Sequence, residues 1–130
     1  MATIRGILEQ VDSRKPNAFS DSDKVRWLAE LDGKIGLDVL LVSIEDIQQL
    51  KYSWPEDAET ELLVRFPHDD LYSLWLYARI DFENGEYNKY QNSMELFNAV
   101  YNNFVRWFAS TYHPANGYRR EDQNAGEEEG

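Results

Sequence analysis

The sequence predicts an all-α protein: a small helical bundle of four to five helices with a long αα-hairpin as its core and a long, partly extended connector. Three observations carry this expectation. Apolar residues recur at three- and four-residue spacing along most of the chain. Serines, aspartates and glycines punctuate those runs where helices would start and stop. Asn84-Gly85 is all that separates two long helical runs, which is the mark of an antiparallel hairpin with a tight turn.

The elements follow in order. A first helix is expected over Ile4–Val11, with Ile4, Ile7, Leu8 and Val11 on one face. Pro16 lies in the loop after it. A second helix starts near Ser20, where "SDSD" offers a cap and first-turn acids suited to the positive helix end. Its stripe is Val25, Leu28, Leu31, Ile35 and Val39, with Trp27 beside it. Gly33 and Gly36 interrupt that helix at about 1 kcal/mol each relative to Ala. Either close packing repays them or the helix bends. "SIEDIQQL" reads as a short capped helical turn. The connector "KYSWPEDAETELLVRFPHDD" has two prolines, a cluster of acids and a strand-like "TELLVRF". Long connectors of this kind often carry a binding role.

The fourth helix follows Pro67, with Asp69 or Asp70 as its cap, and ends at Asn84-Gly85. Leu71, Leu74, Trp75, Ala78 and Phe82 form its expected inward face. Tyr72, Leu76, Tyr77 and Ile80 cover most of the remainder, so both sides need a cover. The fifth helix is expected over Glu86–Thr111, with Met94, Phe97, Val100, Tyr101, Phe104 and Phe108 on one side. His113-Pro114 ends it. Residues 1–118 are expected to form a single helical domain, and 119–130 a disordered acidic tail.

The chain has 130 residues, a net charge of −11 and no cysteine. Disulfides and thiolate metal sites are therefore excluded. The last ten residues hold five acids and no base, and the remaining body is acidic too. A surface of this sign does not grip nucleic-acid phosphate. No apolar run approaches the ~20 residues of a membrane span, and the N-terminus does not read as a signal peptide. Aromatic residues make up 14 % of the chain, which fits core packing and a protein interface together.

Candidate chemistry is sparse. His68, Asp69 and Asp70 in "PHDD" would need further histidines to hold a metal, and His113 is the only other one. A Pro turn leading into helix caps accounts for them better. Glu56, Asp57, Glu59 and Glu61 lack the spacing of a calcium loop. No phosphate-cradling glycine motif and no nucleophile elbow occurs. The expectation is a protein without enzyme activity, metal or cofactor. Arg79, on the greasy fourth helix, either pairs with an acid, within the chain or across an interface, or snorkels to solvent.

"KVRWLAELDGKI", "ELLV" and "PHDDLYSLWLYARIDFENGEYNKYQNSMELFNAVYNNFVRWF" together resemble the head–tail adaptor, or head completion, proteins of tailed phages and prophages of Gram-positive bacteria. The matching positions are Trp27–Gly33, Leu62–Val64, Pro67–Tyr72 and Asp81–Met94, and the resemblance spans roughly Ile4 to Pro114. The acidic loop Lys51–Glu61 and the residues after Pro114 fall outside it. The resemblance implies an all-helical structural subunit of the virion, present in the host cytoplasm during assembly. It implies a ring, usually dodecameric, below the portal protein, which extends the DNA channel and docks the next connector, stopper or tail protein. It brings no catalytic residues; the acidic body and the lack of a long apolar run add the expectation of no specific nucleic-acid binding and no membrane. An acidic channel would repel the DNA backbone and let it slide. Interface residues are expected on the second side of the fourth helix (Tyr72, Leu76, Arg79, Ile80) and in the connector (Trp54, Glu56, Asp57). The alternative is a phage-encoded, non-enzymatic protein-binding or regulatory module using the same apolar helix.

Overall fold

The computed structural model describes residues 2–111. The expected tail 119–130 and the stop at His113-Pro114 lie outside the described residues. Five helices follow one another: α1 (Ile4–Arg14), α2 (Asp21–Asp38), α3 (Ile44–Gln48), α4 (Leu71–Glu83) and α5 (Tyr87–Thr111). The protein is all-α. The strand-like "TELLVRF" contributes only an isolated antiparallel bridge between Thr3 and Glu61.

Helix starts are built by short side chains. Thr3 Oγ1 accepts from the Gly6 N–H, Ser20 Oγ from Asp23 and Ser43 Oγ from Asp46, each at 3.1 Å. The first amides of α1 need more than one cap. The connector supplies it: the Ala58 and Thr60 carbonyls accept from Arg5 N–H at 2.8 Å and Ile4 N–H at 3.1 Å. α4 departs from expectation. Asp70 stands at its N-terminus in helical conformation and makes no side-chain cap bond. Tight turns enter the helix instead, with Leu71 and Tyr72 N–H donating to the His68 and Asp69 carbonyls. Backbone acceptors take the amides that an aspartate cap would have served.

The α4–α5 turn closes as the sequence predicts. Glu86 N–H donates to the Asp81 carbonyl at 2.9 Å and Gly85 N–H to Phe82 at 3.0 Å, with Gly85 at φ +75°. This paired 6→1 and 5→2 pattern requires a left-handed residue, which glycine adopts without a Cβ penalty.

α4 is the central helix, packed against α1, α2 and α5. It runs antiparallel to α2. Tyr72 meets Asp32, further along α4 Trp75 Nε1–H donates to the Trp27 carbonyl, and Arg79 pairs with Glu30. α4 therefore needs no polar face, because the chain covers it on three sides. Leu71, Tyr72, Leu76, Ala78 and Ile80 are buried, together with Ile4, Ile7, Leu8 and Val11 of α1 and Val25, Leu28, Leu31 and Ile35 of α2. Leu74 and Trp75, expected innermost, are half-buried, and Phe82 is exposed.

The two glycines of α2 differ. A Cβ on Gly36 would run into the Ile47 side chain, so Gly36 lets α3 fold back closely on α2. A Cβ on Gly33 would meet nothing within 4 Å. Gly33→Ala should accordingly stabilise the protein by about 1 kcal/mol. Gly85→Val should destabilise it by on the order of 1–2 kcal/mol or more, because a β-branched residue resists positive φ. Thermal unfolding of the two variants checks both signs.

Candidate interaction surface

Among the described residues, no group of three or more His, Asp or Glu is placed to hold a metal ion. The polar groups that do converge are structural. Asp32, fully buried in α2, accepts from Tyr72 Oη at 2.6 Å, from Tyr52 Oη at 2.7 Å and from the Leu63 N–H at 3.1 Å. Tyr72 Oη in turn accepts from the Val64 N–H at 2.7 Å. One carboxylate thus ties α2 to α4 and to the connector. Burial pushes the Asp32 carboxyl above the usual range, against the lowering effect of its three donors. Burial and the Asp32 charge push both tyrosines up.

Two more buried charges fasten the other elements. Asp81 of α4 accepts from Lys15 Nζ at 2.8 Å and from Ser93 Oγ of α5 at 3.0 Å. Lys24 of α2 donates to Asp12 at 2.6 Å and to Asn17 at 3.2 Å.

The structure corrects three of the expected interface residues. Tyr72, Leu76 and Ile80 are at most 1 % exposed, covered by α1, α2, α5 and the connector, and offer nothing to a partner. Arg79 is largely covered and engaged within the chain: its guanidinium lies 4.9 Å from the Trp27 ring centre and pairs with Glu30 and Glu83. In the connector, Trp54 is half-buried with the Arg5 guanidinium 5.8 Å from its ring. Asp57 accepts from the Ser53 N–H at 2.7 Å and so shapes its own turn. Glu56 is exposed. Of the seven, Glu56 is the one that is exposed, while Trp54, Asp57 and Arg79 keep part of their surface.

The exposed large apolar side chains lie elsewhere, and they include Phe66 of the connector at 80 % and Leu96 of α5 at 59 % exposure. Leu37, Leu41 and Ile44 crowd the end of α2 and the start of α3, with Leu41 at 79 % and Ile44 at 62 % exposure. Leu41 also holds φ +58°, a left-handed conformation that costs a non-glycine residue roughly 1–2 kcal/mol. At the α4–α5 turn, Phe82 packs edge-on against Tyr87 and lies 5.3 Å from the Tyr90 ring, with Tyr87 at 59 % exposure. Because α2 and α4 are antiparallel, these two patches lie toward opposite ends of that helix pair. A groove of about 340 Å³ between α2 and α5 has Trp75, Phe97 and Tyr101 in its walls.

The apolar surface at the α2 end was hidden in plain pattern. "VLLV", Val39–Val42, runs uninterrupted past the last helical residue, where periodicity no longer says which side chains face inward. Asp32 sits four residues after Leu28 and three before Ile35, on the buried stripe itself, and that position alone could have marked it as a buried carboxylate. No helix among the described residues is long and apolar enough to cross a membrane. Compared with protein families, curated proteins and solved structures, the chain matches none.

Three outcomes test this assignment. Ile80→Glu should abolish cooperative unfolding, since a carboxylate would be placed in the closed core without a partner. Tyr72→Phe should cost on the order of 2–4 kcal/mol, because Asp32 and the Val64 N–H each lose a partner in the interior. Asp32 holds its proton more tightly in the folded chain than in the unfolded one. Its contribution to stability is therefore full below the ordinary value of 3.8 and lost as pH rises through the raised value. The advantage of wild type over Asp32→Asn in melting midpoint should shrink across that window, and a constant difference would contradict it.

Proposed function

We propose that this chain is a non-enzymatic structural subunit of a tailed-phage virion, a head–tail adaptor whose copies form a ring below the portal, extend the DNA channel and dock the next connector protein. The motif resemblance supplies the family. The observation that supports the reading is that exposed apolar side chains stand at more than one separate place on the described surface, among them Leu37, Leu41 and Ile44 at the α2 end, Phe66 in the connector, Phe82 and Tyr87 at the α4–α5 turn, and Leu96 on α5. A subunit of a cyclic assembly contacts its two neighbours through two different surfaces, so it needs more than one such surface. A binding module with a single partner needs one.

The acidic body supports the same reading. A net charge of −11 repels the DNA backbone, so a passage lined by such subunits presents no sticking points. The buried state of Tyr72, Leu76 and Ile80 takes these three side chains out of any contact, so the assembly surfaces are sought among the exposed side chains instead.

Purified protein mixed with the portal protein of the same phage should add a ring of density below the portal in negative-stain images and co-sediment with it. A portal that stays bare, with the protein unsedimented, overturns the proposal. The protein alone should not shift duplex DNA at ~0.15 M salt, and salt-sensitive micromolar binding would contradict a passive conduit.

A further inference from the structure

We propose that Asn84 is a deamidation site held shut by the α4–α5 turn: the closed turn blocks the reaction, and each opening exposes the chain to a modification that keeps the turn from closing again. The site stands on the geometry of the turn alone and is independent of the adaptor reading.

Asn84-Gly85 has the groups that the reaction needs. An asparagine side chain is cyclised by the backbone nitrogen of the next residue, and glycine, without a Cβ, leaves that nitrogen open to approach. The Gly85 nitrogen gives up its proton to hydroxide and attacks Asn84 Cγ. The new N–Cγ bond forms, the bond from Cγ to the side-chain nitrogen breaks, and that nitrogen takes up a proton from water and leaves as ammonia. Water then opens the succinimide ring at one of its two carbonyls. Opening at Cγ gives aspartate. Opening at the main-chain carbonyl gives isoaspartate, whose main chain runs on through Cβ. Water is the only co-reactant, and Asn84 is exposed to it.

The closed turn forbids the first step in two ways. Ring closure needs the Gly85 nitrogen to eclipse the Asn84 Cβ about the Cα–C bond. At ψ −3° it eclipses the Asn84 nitrogen instead, so Cγ is out of its reach. The attacking group is also engaged. Gly85 N–H donates to the Phe82 carbonyl at 3.0 Å, flanked by Asn84 N–H to Ile80 at 3.0 Å and Glu86 N–H to Asp81 at 2.9 Å. Rotating Asn84 ψ far enough for attack swings the next peptide away and breaks the Gly85 and Glu86 bonds together. The Phe82 ring, 5.8 Å from Tyr87 and 5.3 Å from Tyr90, spans the turn and adds to the cost of opening it. The reaction therefore passes only through the opened fraction.

Both products oppose reclosure. Isoaspartate lengthens the main chain by one carbon where the paired 6→1 and 5→2 bonds require fixed spacing. Aspartate sets a negative charge at the negative end of α4, next to Glu83. Modification thus turns a reversible local opening into a lasting one.

Ageing of the full chain at mildly alkaline pH, followed by tryptic mapping, tests this. Cleavage after Arg79 and Lys89 puts Asn84 in the peptide 80–89, apart from the second Asn-Gly pair, Asn116-Gly117. Deamidation at Asn84 should run at least about tenfold more slowly in native buffer than in unfolding guanidinium chloride, because only the open fraction reacts. Phe82→Ala removes an exposed ring that spans the turn and leaves Asn84-Gly85 as it is. It should keep the wild-type circular dichroism spectrum and speed the reaction in native buffer several-fold. Equal rates in buffer and denaturant overturn the gate, and so does a Phe82→Ala rate no higher than that of wild type. In an Asn116→Gln background, chain that has gained a negative charge at Asn84 is separated by ion exchange and returned to native buffer. It should melt below the unmodified chain, and an equal melting midpoint overturns the lasting effect.

Discussion

The fold depends on a carboxylate that has left water. Asp32 is fully buried with no cation beside it among the described residues, and only donors in fixed positions make that tolerable. Those donors come from three places: a tyrosine of α4, a tyrosine of the connector and a connector amide. None can move away without stranding a charge. The requirement therefore fixes how α2 and α4 face each other and pins the connector across them. Tyr72 passes the constraint on by accepting from the Val64 N–H, so the backbone around Leu63 and Val64 is held at two successive amides.

The same logic recurs around the core. Lys24 with Asp12 joins α2 to α1, and Asp81 with Lys15 and Ser93 joins α4 to α1 and α5. Apolar burial supplies the driving force, but it is non-directional. Helices with apolar faces as broad as α4 could pack at several rotations. Satisfied buried polar groups discriminate among them, since a rotation that preserved apolar contact would break the hydrogen bonds. The connector is drawn into the same scheme. Its carbonyls serve the first amides of α1, so its acids stand on a clamped loop.

Four segments of the sequence meet at these polar clusters. Trp27–Gly33 contains Asp32, Leu62–Val64 provides the two amides, Pro67–Tyr72 ends in Tyr72, and Asp81–Met94 holds Asp81, Ser93 and the turn glycine. The motif residues thus specify how the bundle is built. The exposed apolar side chains Leu37, Leu41 and Ile44 lie between these segments, and Phe82 and Tyr87 stand where one of them reaches the surface. A motif that fixes a scaffold says little about what the scaffold touches.

By itself the sequence determined the helices, their caps at Ser20 and Ser43, the buried face of α1 and the glycine turn between α4 and α5, because each is set by neighbours within a few residues. It also determined an acidic protein without thiol chemistry. Only the tertiary structure decided which side of α4 is interior and that Tyr72, Leu76 and Ile80 are core. The physical reason is that α4 is apolar nearly all round. Periodicity can orient a helix only when one face is polar, and here the choice of rotation was made by a carboxylate forty residues away in α2.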